Sequence, residues 1–363
     1  MNPDPGLASW LQLALTPGLG PATFQRILRQ FGLPQAALAK RRAELASFTT
    51  PAVLAALDSE AVADAVTHCL GWVAQPGRSI VTLADEAYPR LLLEIPDPPP
   101  VLYAHGRTEL LGGPALAIVG SRNSTQQGEV NAESLAKALS DAGFTIVSGL
   151  ALGIDAAAHR GGLAGASSTI AVLGTGADVT YPSRNAALAA RIAERGLLIT
   201  EFPLGTPPAA QNFPRRNRLI SGLARGCLVV EAALASGSLI TARAAAEQGR
   251  EVFAIPGSIH SPLSKGCHAL IKSGAKLVES AEDVLTELAG FGQSASASTT
   301  LDTASPQDSG LLAHMGHDPV DVDSLCSRAR LSAEQVSSEL LRLELDGRIT
   351  ALPGGLYQRL EKG

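Results

Sequence analysis

From Leu116 onward the chain alternates short apolar runs with amphipathic stretches. The runs are LAIVG, FTIVSG, STIAVLG, GLLIT, CLVVE and EVFAIPG, followed by a weaker AKLVES, and each of the first five precedes a helix-like segment. Runs with no polar alternate face belong to strands covered on both sides. The pattern therefore predicts an α/β fold, a Rossmann-like doubly wound and mostly parallel sheet flanked by helices. The clearest helix is expected from Gln127 to Asp141. Leu135, Ala138, Leu139 and Ala142 mark its apolar face, and Gly143 is its stop.

The flanks read differently. Residues 1–75 predict short helices, with Pro17-Gly18-Leu19-Gly20-Pro21 separating LASWLQLAL from ATFQRILRQFG and Pro21 at a helix start. This resembles a helix-hairpin-helix, whose glycine turn offers N–H groups to a DNA phosphate; the same turn also serves as a plain packing corner in SAM-like domains. Residues 76–290 hold the Rossmann-like domain, opening with a proline-rich lead-in over 76–114. Residues 291–308, small and polar without apolar period, read as a flexible linker. Residues 309–363 give helix, helix, helix and hairpin, the order of a winged helix. Ser332-x-x-Gln335 is the capping box of the third helix, and Pro353-Gly354-Gly355 is the wing turn.

Composition narrows the function. No stretch approaches the roughly 18 uncharged apolar residues of a membrane span, and MNPDPGLASW lacks the features of a secretory signal, so a cytoplasmic protein is expected. Cys69, Cys227, Cys267 and Cys326 form no CxxC pair; they are expected as small buried filler, with no metal and no cofactor. The net charge of -5 argues against coating nucleic acid through bulk charge. Residues 112–289, however, carry 15 Lys+Arg against 14 Asp+Glu, and between Glu201 and Glu231 there is no acid while Arg215, Arg216, Arg218 and Arg225 fall inside. That window suits an anionic partner.

The candidate chemistry lies on turns that follow strands. Gly120-Ser121-Arg122-Asn123-Ser124 ends the first strand, and Ser124-x-x-Gln127 is read as the cap of the next helix. Such a turn presents free N–H groups and a helix N-terminus to an anion, and Arg122 adds a fork for phosphate. It is neither G-x-G-x-x-G nor Walker A, so neither a dinucleotide nor ATP is implied. Ser148-Gly149-Leu150-Ala151-Leu152-Gly153, Gly174-Thr175-Gly176 and Ser236-Gly237-Ser238 occupy equivalent places. Several phosphate-sized cradles on one rim suit a polymer backbone better than one nucleotide. The densest signal is Phe213-Pro214-Arg215-Arg216-Asn217-Arg218: three arginines for phosphates and one aromatic face for a base. Asp155 and His159, four apart on a helix, read as a hydrogen-bonded pair orienting the rim loops, and Glu231 as a structural or sugar-contacting residue. The third winged-helix segment carries Glu334, Glu339, Glu344 and Asp346 against Arg342, so a protein contact suits it better than duplex DNA.

AIVGSRNST, IVSGLALGIDAAAHRGGL, TIAVLGTGADVTYPSRN, FPRRNRLISGL, LVVEAALASGSLITARAAAEQGREVFAIPG and KGCHALIKSGA occur in this order over roughly residues 80–285. Together they resemble the DNA-processing protein A (DprA, or Smf) family. The resemblance implies a non-enzymatic protein that binds and protects incoming single-stranded DNA, dimerises through its Rossmann domain, and loads the recombinase RecA during natural transformation. By motif, the family's DNA-contacting arginine falls on Arg122, its FPxRNR segment on Phe213 to Arg218, and its strand-end loops on Gly149, Gly153 and Gly237. Arg184 follows Ser183, where many relatives carry lysine, and His268 stands where many carry asparagine. The rival enzyme reading, a Rossmann-type phosphoribohydrolase, requires a PGGxGTxxE turn; the nearest segment, Glu231 to Thr241, places the glutamate before the small-residue turn instead of after it.

Overall fold

The computed structural model describes residues 5–40, 42–289, 310–316 and 319–360. The linker expected over 291–308 lies outside the described residues. Nine strands form one sheet: β1 (Arg78–Thr82), β2 (Val101–Gly106), β3 (Ala115–Val119), β4 (Thr145–Ser148), β5 (Thr169–Val172), β6 (Leu197–Thr200), β7 (Gly226–Val229), β8 (Glu251–Ala254) and β9 (Lys276–Leu277). Their order is β1-β2-β6-β5-β4-β3-β7-β8-β9. From β6 to β9 all neighbours are parallel. The seven apolar runs of the sequence are β3 to β9, and most are buried along their whole length because helices cover both faces.

Two strands lie where the sequence suggested only a proline-rich lead-in. β1 pairs antiparallel with β2, and β2 antiparallel with β6, closing the edge that β6 would otherwise expose. RSIVT and VLYAHG are short and carry polar residues, so they lack the apolar signature of the central strands. Tyr103 of β2 joins the core of the N-terminal helices. There Trp10 stacks on Phe24 at 5.5 Å and Trp72 meets Tyr103 edge-on at 6.1 Å. Pro21 opens the Pro21–Phe31 helix as expected, after a turn in which Gly18 holds φ +82.

The Gln126–Asp141 helix differs from expectation at its start and on its face. Its cap is Thr125, whose hydroxyl accepts from the Gly128 N–H at 2.9 Å, whereas Ser124 donates to Glu129. Thr125 wins because Glu231, 106 residues away at the end of β7, accepts both its N–H at 2.9 Å and its hydroxyl at 2.6 Å. The buried face is Gly128, Ala132, Ala136, Leu139 and Ser140, while Ala138 and Ala142 are exposed. This face meets the Ile154–Ala164 helix, whose Gly161 and Gly165 leave no space: a Cβ on Gly161 would lie 2.1 Å from the Glu133 carbonyl, and one on Gly165 2.5 Å from Ser140. The Ile154–Ala164 helix is consequently buried over most of its length.

In the C-terminal unit a single 3-10 turn, Gly310–His314, stands where the first helix was expected. The helices Val322–Ala329 and Ala333–Leu345 follow, and the latter opens with the Ser332–Gln335 capping box. The hairpin of β11 (Ile349–Leu352) and β12 (Leu356–Arg359) completes a winged helix, with β10 (Val320–Asp321) added beyond β12. No helix among the described residues is long and apolar enough to cross a membrane.

Candidate nucleic-acid interface

Connections from β3 run outward through β4, β5 and β6 on one side, and from β7 through β8 and β9 on the other. The loops after β3 and β7 therefore diverge, and such a switch point opens a crevice at the carboxyl ends of the strands. A cleft of about 830 Å³ lies there, lined by Gly120, Ser121 and Arg122 from one loop, Ser236, Gly237 and Ser238 from the other, and Phe213, Arg216 and Asn217 from the Asn212–Leu223 helix. That helix, Gln126–Asp141, Ile154–Ala164 and Ser238–Glu247 all follow rim loops, so their positive ends point toward the same side.

The rim is held from below. Gly149 and Ala151 donate to Asp155 Oδ2 at 3.2 and 3.3 Å, Leu150 donates to His159 Nε2 at 3.2 Å, and Asn185 donates to the carbonyls of Leu150 and Ala151. Leu150 is thereby kept at φ 58, a left-handed conformation that non-glycine residues rarely adopt. Asp155 and His159 do orient the rim, each through its own bonds to the loop. Thr169 donates its hydroxyl to the Ile146 carbonyl at 2.6 Å, so it accepts from His159 Nδ1 at 2.7 Å and leaves Nε2 as acceptor. Burial, with Arg216 nearby, pushes the imidazole pKa down to about 3, and burial pushes the Asp155 carboxyl up. Gly153, at φ +74, closes the loop against β3: a Cβ there would lie 2.4 Å from the Ser121 carbonyl.

The arginines separate into two classes. Arg122 is exposed, its guanidinium 5.4 Å from the Phe213 ring centre, and among the described residues no acid pairs with it. Arg184 is exposed on the short turn before the Ala186–Arg195 helix. Arg216, expected to face phosphates, is 4% exposed and donates to the carbonyls of Gly149 and Val172 at the ends of β4 and β5. Burial pushes its pKa down to about 10 against the opposing pull of Asp155. Arg218 is also largely buried, donating to Glu201 and to the Asp97 carbonyl, and Arg215 reaches the same Glu201 at 3.3 Å. Arg225 precedes β7 and so lies at the opposite rim. The acid-free window of the sequence is thus bounded in space by Glu201, which takes two of its arginines.

Phe213 is half-buried, with Arg122, Arg216 and Tyr181 all against its ring, and a Cβ on Gly174 would come within 2.8 Å of it. Ser121 spends its hydroxyl on the Asn123 N–H, and the Ser236 and Ser238 hydroxyls bond each other at 2.7 Å. Gly237 stays open, with nothing near its missing Cβ. Glu231 is a brace for Thr125. Tyr181, Asn185 and Thr125 had no role assigned from sequence, although all three stand in the family-like runs AIVGSRNST and TIAVLGTGADVTYPSRN. The described residues contain no cluster of side chains able to hold a metal.

The family profile described as DNA recombination-mediator protein A matches residues 79–289. The chain belongs to the DprA family. A DprA winged helix domain matches residues 295–355 and a DprA-like N-terminal HHH domain residues 6–41. Protein Smf of Escherichia coli K12 is 45% identical over 307 residues, 82% of this chain and 81% of its own length. The crystal structure of DNA processing protein A from Streptococcus pneumoniae superposes with a TM-score of 0.69 at 39% identity, covering 77% of this chain and 97% of that one. DNA processing protein A from Helicobacter pylori, described with a single-stranded DNA binding mode of its own, gives 0.53 at 30% identity over 58% of this chain and 96% of its own.

Two expectations follow for this DprA-family chain. Arg216→Ala leaves the Gly149 and Val172 carbonyls under the rim without their donor, and each buried acceptor left unsatisfied costs about 1–3 kcal/mol. Denaturant unfolding without any ligand should register that loss for Arg216→Ala and almost none for Arg122→Ala; equal stabilities would remove Arg216 from the floor. His159 sets a pH dependence. Unfolded, it takes a proton below about pH 6.5, whereas folded it stays neutral to about 3. The unfolded state thus binds the extra proton between these values, and stability falls with acid by about 1.4 kcal/mol per pH unit from this group. Asp155 is common to both proteins in a comparison with His159→Gln, so the stability advantage of the parent should shrink by roughly 2–3 kcal/mol between pH 7 and pH 4.5. Parallel pH curves would exclude this assignment.

Proposed function

We propose that this chain binds single-stranded DNA along the cleft at the switch point, without chemically altering it, and delivers the strand to a RecA-type recombinase. The observation that carries the reading is Arg122: an exposed guanidinium without an acidic partner among the described residues, at the end of β3, in a cleft toward which helix N-termini point. The single-strand binding of the Helicobacter pylori relative supports it. Arg122, Arg184 and the open backbone at Gly237 are the phosphate contacts. Gly120, Ser121, Ser124, Gly149, Gly153, Ser236 and Ser238 shape the turns, Arg216 and Arg218 hold the helix that carries Phe213, and Asn217 lines the cleft beside it. Glu231, with both oxygens on Thr125, supports bracing over the acid role that a phosphoribohydrolase would need.

Dimerisation through the Rossmann domain, centred on residues 263–285, belongs to the same reading. Ile271 packs against the core, whereas Leu277 on the edge strand β9 is 47% exposed, which makes Leu277 the better probe of that surface. A monomer mass by light scattering at micromolar concentration, for the parent protein, would remove the dimer. Failure of the immobilised chain to retain RecA on single-stranded DNA would remove the delivery role.

Arg122→Ala tests the central claim. Affinity for single-stranded oligonucleotides should fall to a similar extent on every sequence, and the salt slope should drop by about one for the lost phosphate contact. Thermal melting should be unchanged. Undiminished affinity and slope would place the site elsewhere.

A further inference from the structure

We infer that Tyr181 is the base-stacking platform of the cleft. The inference rests on the single-strand reading above and adds a contact to the bases. The sequence pointed to Phe213 for this work, but its ring is already occupied: Arg122 lies 5.4 Å and Arg216 5.9 Å from its centre, and it is wedged against Gly174. What Phe213 does is hold its neighbours. Tyr181 sits against it with centroids 5.6 Å apart and planes tilted by 38°, and itself lines the cleft.

Tyr181 is 43% exposed and is the only exposed aromatic side chain among the described residues. The loop that carries it is firmly built. Asn185, four residues on, is buried and anchored to the carbonyls of Leu150 and Ala151, and Pro182 fixes the backbone after the ring. Because Arg122 and Tyr181 pack on the same phenyl ring, a strand whose phosphate sits on Arg122 has a nearby base within reach of the tyrosine. A π-face accepts any base, so such a contact adds affinity without sequence preference.

The test uses the full chain and two probes of equal length, oligo-dT and an oligonucleotide whose residues are abasic. Tyr181→Ala should weaken binding to oligo-dT by about five-fold to a hundred-fold, leave abasic binding at the parent level, and leave the salt slope unchanged on both. Tyr181→Phe should bind both probes as the parent does. Equal oligo-dT affinity for parent and Tyr181→Ala, or an equal loss on the abasic probe, overturns the stacking role while leaving the strand-binding reading intact. A parent protein that binds neither probe removes both.

Discussion

The rim depends on one buried charge. Arg216 lies in the cleft floor, donating to carbonyls at the ends of two adjacent strands, β4 and β5, with the Asp155 carboxylate of the Ile154–Ala164 helix opposing its loss of charge. A guanidinium withdrawn from water must find acceptors for its donors, so its position fixes everything that supplies them. Gly149 has no side chain because a Cβ there would fall 2.3 Å from Arg216 Nη2. The loop that begins at Gly149 turns through a left-handed Leu150, and Asp155, His159 and Asn185 hold it in that shape.

Arg216 also fixes the helix it belongs to. Phe213, three residues earlier, is thereby set against Gly174 at the end of β5, and Arg218, two residues later, reaches Glu201 at the end of β6 and Asp97 in the proline segment. Gly222 lets Ile95 and Leu92 of that segment close on the same helix, since a Cβ there would meet each at 2.9 Å. The FPRRNR run is therefore chiefly a structural anchor with one end at the cleft. Its charge joins three strand ends and the lead-in, and the exposed arginine beside it belongs to a different loop.

Strand identity was legible because fully buried parallel strands leave an unbroken apolar signature, and the switch-point cleft followed from placing glycine turns after those strands. Less could be read wherever a long-range partner decided the outcome. Glu231 moved the helix cap from Ser124 to Thr125 across 106 residues, and close packing on Gly161 and Gly165 rotated the buried face of that helix away from Ala138 and Ala142. The arginine window misled for the same reason. Charge counted along the chain does not show that Glu201 bends back onto Arg215 and Arg218, or that Arg225 faces the opposite rim. Tyr181 and Asn185 stood in a quoted motif, but nothing local separates an exposed ring from a buried one.

This division between buried and exposed cations also explains how a chain of net charge -5 can present a site for an anion. A cation already committed to carbonyls and carboxylates holds shape but gives little attraction, because its field is offset where it stands. Arg122 is different. Its neighbours are an aromatic ring and another guanidinium, and the ring leaves the charge uncompensated while limiting the conformations it can take. Repulsion from Arg216 beneath further favours an anion arriving from the open side of the cleft. The two arginines thus differ in role: the buried one shapes the floor and biases the field, and the exposed one is the contact that the proposed strand-binding reading assigns to a phosphate.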